Sequence, residues 1–105
     1  MSVVRVEDGV ACAEAAGAKS EESRARNVLG SILVALGDVE EGIAQLELSA
    51  DLAAEAGPSD MRVIGPYNLA VNLAMAGRLR EAQAAAARGV EAARTEGLQR
   101  RYGMD

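Results

Sequence analysis

The chain has 105 residues, half of them hydrophobic and 26% charged, with a net charge of −5, a single cysteine and no histidine. That balance excludes a disordered chain and bounds the protein to one domain with a modest core. It also removes the commonest general base and metal ligand, any internal disulfide, and the positive field that nucleic acid demands.

Five helices are predicted in chain order. The first, over 3–16, carries Val3, Val6 and Val10 on one stripe, and Cys12 is expected on it as a small buried or half-buried residue. The second, over 20–36, opens on Ser20 as an N-cap with Glu21 and Glu22 in the first turn, and repeats Leu29, Ile32, Leu33 and Leu36 at i, i+3, i+4, i+7. Gly37 stops it, and the third helix, over 39–56, carries Val39, Ile43, Leu46, Ala50 and Ala53. Gly57-Pro58-Ser59-Asp60 reads as a break and restart. The fourth helix, over 60–76, carries Leu69, Leu73 and Ala76; Gly65-Pro66 predicts either a kink or a helix that truly starts near Gly65. After Gly77 the fifth helix, over 79–96, carries Leu79, Ala82, Ala86, Val90 and Ala93. Residues 98–105 read as the beginning of a sixth. Only one or two residues separate the runs at Gly37 and Gly77, which forces antiparallel hairpins.

The hairpins repeat. Gly17, Gly57 and Gly97 lie forty residues apart, and Leu29, Leu33, Gly37 and Glu41 match Leu69, Leu73, Gly77 and Glu81 at the same step. The expected organisation is one all-α helical-repeat domain over 1–105. Within it, 1–17 is the second helix of a partial repeat, 18–57 and 58–97 are full repeats, and 98–105 starts a further helix. Stacked hairpins build a continuous core only where each has a neighbour. The end helices lack one, so the chain is expected to be a fragment or to be completed by another copy as a homodimer.

Leu69-Ala70, Leu73, Ala82, Ala86 and Gly89, and before them Leu29-Gly30, Leu33, Gly42, Leu46 and Ser49, fall where the tetratricopeptide repeat places its large and small packing residues. The chain resembles a divergent member of that class: its period exceeds the usual length, and Arg26 and Pro66 stand where the motif has an early Trp. The resemblance implies an α-α superhelix whose first helices line a concave surface. The stretch YNLAVNLAMAGRLREAQAAAARGVEAARTEGLQRRYG is also similar to the repeat region of bacterial LuxR-type transcriptional regulators with an ATPase module, and to repeats beside cyclase-type signalling ATPases. That likeness implies a sensor or interaction arm.

No GxxxxGK[ST] loop is present, so no nucleotide site and no cofactor are expected, and no enzyme activity. Glu47 and Asp51, four apart on the third helix, read as a solvated face rather than a cation site. Arg78, Arg80, Arg88 and Arg94 lie among alanines and are opposed by Glu81, Glu91 and Glu96, so direct DNA binding is not expected. Residues 1–60 carry four basic and twelve acidic side chains, a net of −8, against +3 for 61–105. The difference reads either as head-to-tail attraction between copies or as solvated faces of unlike charge. The candidate binding surface is the concave groove, with Arg24, Asn27, Ser31 and Val34 from one unit and Tyr67, Asn68, Val71, Asn72 and Met75 from the next. A protein or peptide partner is expected there, with self-association or a small effector between hairpins as the alternatives. No apolar run reaches the roughly 20 residues that cross a bilayer, and the start has no signal-peptide core, so the expected setting is cytoplasmic.

Overall fold

Three glycines make the architecture. Gly17, Gly37 and Gly77 take φ of 68°, 96° and 80°, the left-handed region that stops a helix at no steric cost. Each turn closes with the same pair of bonds. Gly37 N–H donates to the Val34 carbonyl at 3.0 Å and Asp38 N–H to Leu33 at 2.8 Å; Gly77 and Arg78 do the same to Ala74 and Leu73, and Gly17 and Ala18 to Glu14 and Ala13. This is the Schellman closure, and it leaves two or three residues between one helix and the next.

The computed structural model describes residues 3–56 and 59–102. It is all-α, an arrangement of helical hairpins: α1 Val3–Ala16, α2 Lys19–Ala35, α3 Val39–Ala56, α4 Ser59–Met75 and α5 Leu79–Tyr102. Overall it measures 43 × 35 × 18 Å. The short dimension is about two helix diameters, so the helices form two layers.

The core follows the predicted stripes. Ile43, Leu46 and Ala50 of α3 pack with Leu69 and Leu73 of α4 and Ala82 and Ala85 of α5. A smaller cluster joins Val6 and Val10 of α1 to Leu29 of α2. Helices α2 and α3 cross closely enough that a Cβ at Gly30 would lie 2.7 Å from the Gly42 carbonyl, and one at Gly42 2.8 Å from the Gly30 carbonyl. Below that crossing, two fully buried serines lock the pair: Ser23 Oγ donates to the Ser49 carbonyl at 2.9 Å, and Ser49 Oγ to the Ser23 carbonyl at 2.6 Å. Arg26 is buried too. Its guanidinium donates to Glu22 of its own helix at 2.7 Å, Gln45 of α3 at 2.7 Å and Glu14 of α1 at 2.8 Å, knotting three helices together.

Several expectations need correcting. Ser20 is not the N-cap: the turn at Gly17 places Ala18 there, without a side-chain cap bond, and Ser20 lies in the first turn. Helix α4 runs unbroken from Ser59 with Pro66 inside it, so it does not start near Gly65. Proline leaves the Arg62 carbonyl without its helical donor, while Gly65 lets α4 approach α3, a Cβ there lying 3.3 Å from the Ala50 Cα. Helix α5 does not end at Gly97 but continues to Tyr102, so residues 98–102 belong to α5 and not to a sixth helix. The reason is local: Gly97 does not take a positive φ, and no proline follows it as Pro58 follows Gly57. Cys12 is exposed rather than buried. Gly57 and Pro58, and residues 103–105, lie outside the described residues.

The charge difference along the chain has a structural use. Acids of α3 meet bases on its neighbours: Glu40 pairs with Arg78 at 3.2 Å, Asp51 with Arg88 at 3.2 Å and Glu55 with Lys19 at 2.8 Å. Two of these pairs, Glu40–Arg78 and Asp51–Arg88, join an acid of residues 1–60 to a base of residues 61–105.

Candidate functional site: an open helical end face

The residues expected to line one groove fall into two groups. Arg24 is exposed, but its guanidinium holds Asp60 of α4 through Nη2 at 3.1 and 3.2 Å. Asn27 is buried, and its Oδ1 accepts from Asn68 Nδ2 at 2.8 Å; Asn72 Nδ2 in turn donates to the Asn68 carbonyl at 2.8 Å. This ladder ties α2 to α4, so both side chains of the pair face each other rather than a ligand. Asn27 Nδ2 is a buried donor with no partner. Ser31 is half-buried beside the ladder.

Tyr67, Val71 and Met75 form the second group. They lie on another line of α4 and are 64%, 39% and 75% exposed. Helix α5 adds Leu79 at 63% and Val90 at 70%. Together they make an apolar face with a shallow hollow of about 400 Å³, lined by Tyr67, Val71, Leu79, Gln83 and Ala86 among others. These large apolar side chains are grouped, not scattered singly over the surface.

The repeat explains why this face is open. Ile43, Leu46, Ala50 and Ala53 of α3 are at most 2% exposed, and Leu69 and Leu73 of α4 pack on the first three. Forty residues on, Gln83, Ala86, Val90 and Ala93 of α5 occupy the same places and are exposed. The face is thus the second copy of a helix seat, and no helix among the described residues fills it. The sequence stripe Leu79, Ala82, Ala86, Val90, Ala93 is split accordingly: Ala82 turns into the core with Ala85, and the others turn out. Leu79 and Val90 were missed as surface residues because apolar periodicity reports a stripe without reporting whether anything covers it. The signal that could have found them is their place in the last repeat.

No charged side chain lines the hollow. The shifted groups sit in surface ion pairs elsewhere. Hydrogen bonds from Arg78 and Arg94 hold the Glu81 and Glu91 carboxyls below their ordinary range, and the Glu55 hydrogen bond raises Lys19. Among the described residues no group of three or more His, Cys, Asp or Glu side chains could hold a metal ion, and no helix is long and apolar enough to cross a membrane. No protein-family model matches this chain, and no curated protein or solved structure matches it significantly.

Proposed function

We propose that the chain is a non-catalytic protein-interaction scaffold, and that a partner's amphipathic helix docks on the open α4–α5 face. The observation that carries this reading is the exposed row Tyr67, Val71, Met75, Leu79 and Val90, set one repeat beyond a seat that α4 already occupies. Inside the molecule, α4 supplies Leu69 and Leu73 to that seat. A partner helix would do likewise, with apolar side chains where α4 offers Asn68, since Tyr67 replaces Asn27 on the receiving side. The test uses a synthetic amphipathic helix with one apolar stripe. It should shift amide resonances along α4 and α5, and Val71→Asp with Leu79→Asp should abolish the shift without lowering Tm. Resonance changes confined to α1 and α2 would remove the reading.

A second copy can use the same face, because its apolar row needs no charged complement. Concentration-dependent sedimentation that Val71→Asp suppresses would assign the seat to self-association. The wider setting we propose is the cytoplasmic helical-repeat arm of a LuxR-type transcriptional regulator, or of a cyclase-type signalling ATPase. Its support is the likeness of the 67–103 stretch described above. A reading frame that carries this segment without a Walker motif or a helix-turn-helix would count against it.

A further inference from the structure

A second opening lies on the other side of α5 and has a different chemistry. Beyond the core that α3 shares with Ala82 and Ala85, a cleft of about 600 Å³ runs between α3 and α5. Its walls are Ala50, Ala54, Ala84, Ala87 and Ala92, with Pro66 beneath. Alanines at these positions leave the space between the helices unfilled. The volume lies within the range of small-molecule sites. Beside it the Asp51–Arg88 pair crosses from α3 to α5.

Four charged side chains line this cleft, and they are unequal. Arg62 uses Nη1 to hold Glu96 at 2.9 Å, and Glu96 is 8% exposed. Its Nε is buried and donates to nothing in the protein. Arg88 uses only Nη2, in a 3.2 Å exposed pair with Asp51. On the acidic side, Glu91 already takes two bonds from Arg94, and Glu96 has Arg62. A guanidinium carries five N–H donors. The Arg62 Nε is shut off from the cleft, but Arg88 offers it unused donors beside carboxylates that are already engaged, over an apolar floor. That combination calls for a ligand with an acceptor group and an aliphatic body. A polyanion is disfavoured, because two carboxylates share the lining with the two guanidinia.

We propose that the α3–α5 cleft binds a small aliphatic monocarboxylate, its carboxylate received by Arg88 with Arg62 and its chain laid along the alanine wall. The ligand would bridge the two hairpins beside the exposed Asp51–Arg88 pair, and so would stiffen the angle between them. The site is separate from the end face and does not rest on the docking reading. The probe is octanoate, followed by thermal unfolding and amide resonance shifts. Octanoate should raise Tm and move the Ala84 and Ala87 amides. Arg88→Gln should weaken binding about tenfold, the loss of one charge-assisted contact. Ala87→Phe places a ring in the cleft from an exposed position; it should keep the unliganded Tm and abolish the response. Octylamine, with the same body and a donor head, should give none. The proposal is overturned if octanoate has no effect on the native chain. Equal responses from octylamine or from Ala87→Phe would also overturn it, as would shifts centred on Val71 and Leu79.

Discussion

The two glycines at the α2–α3 crossing show how the sign of a substitution is set by what stands next to it. Alanine is the better helix former by about 1 kcal/mol. At Gly30, however, the new methyl meets a backbone carbonyl at 2.7 Å and the Leu46 side chain at the same distance. A carbonyl held in the facing helix cannot turn aside, so overpacking wins. Gly30→Ala should destabilise the protein by about 2 kcal/mol in denaturant unfolding. Gly9 is the contrast: it sits in α1 with nothing within 4 Å of its missing Cβ. Gly9→Ala should stabilise by about 0.5–1 kcal/mol. Equal effects at the two sites would show that the crossing is looser than described. Arg26 gives the electrostatic counterpart. Arg26→Leu strands the Glu22 carboxylate, which is 12% exposed, and should cost about 3 kcal/mol. Arg26→Lys should restore little of it, because an ammonium cannot reach Glu14, Glu22 and Gln45 from one planar fork.

At the level of the helix, the sequence made the breaks legible because glycine at a left-handed turn is a chemical requirement. Gly17, Gly37 and Gly77 all meet it, and the helices they bound lie where the periodicity put them. Gly97 lies in the forty-residue series of Gly17 but does not take the left-handed turn, so spacing alone misplaced the end of α5. The candidate surface was legible in part. Tyr67 and Asn68 are adjacent in sequence but about 100° apart around α4. One faces solvent and the other is bonded to Asn27, and only the position of α2 decides which is which. Cys12 escaped for the same reason: its neighbours on α1 are buried by α2, and no helix among the described residues covers the side it occupies. Helix α5 carries a prediction of its own. Gly97 is helical, with no atom within 4 Å of a Cβ placed there. Gly97→Ala should therefore raise the helical signal and slow amide exchange over 94–102, while Gly77→Ala, at φ 80°, should destabilise the α4–α5 turn.

Across the whole molecule, ion pairs decorate α5 and join the hairpins, and their protonation states give opposite pH flanks. Glu81 and Glu91 titrate below their ordinary value near 4.5 when folded, because Arg78 and Arg94 hydrogen-bond the charged form. The unfolded chain thus takes up protons first on acidification. The stability these groups lend is complete above the ordinary value and is lost as pH falls through the folded one. Lys19 runs the other way. Its pairing with Glu55 raises it above 10.5, so its contribution is complete below that value and is lost as pH rises through the folded one. Stability should show a plateau between these limits, with the alkaline loss tied to the α2–α3 pair and the acidic loss to α5. These three ion pairs lie at the surface, so screening should flatten both flanks: at 1 M salt the Debye length shrinks to about 3 Å. Tm measured from pH 3 to 11 at low and high salt tests this, and Glu55→Gln should erase the alkaline flank alone. An alkaline loss that survives Glu55→Gln, or flanks indifferent to salt, would place the pH dependence in some other contact between the hairpins.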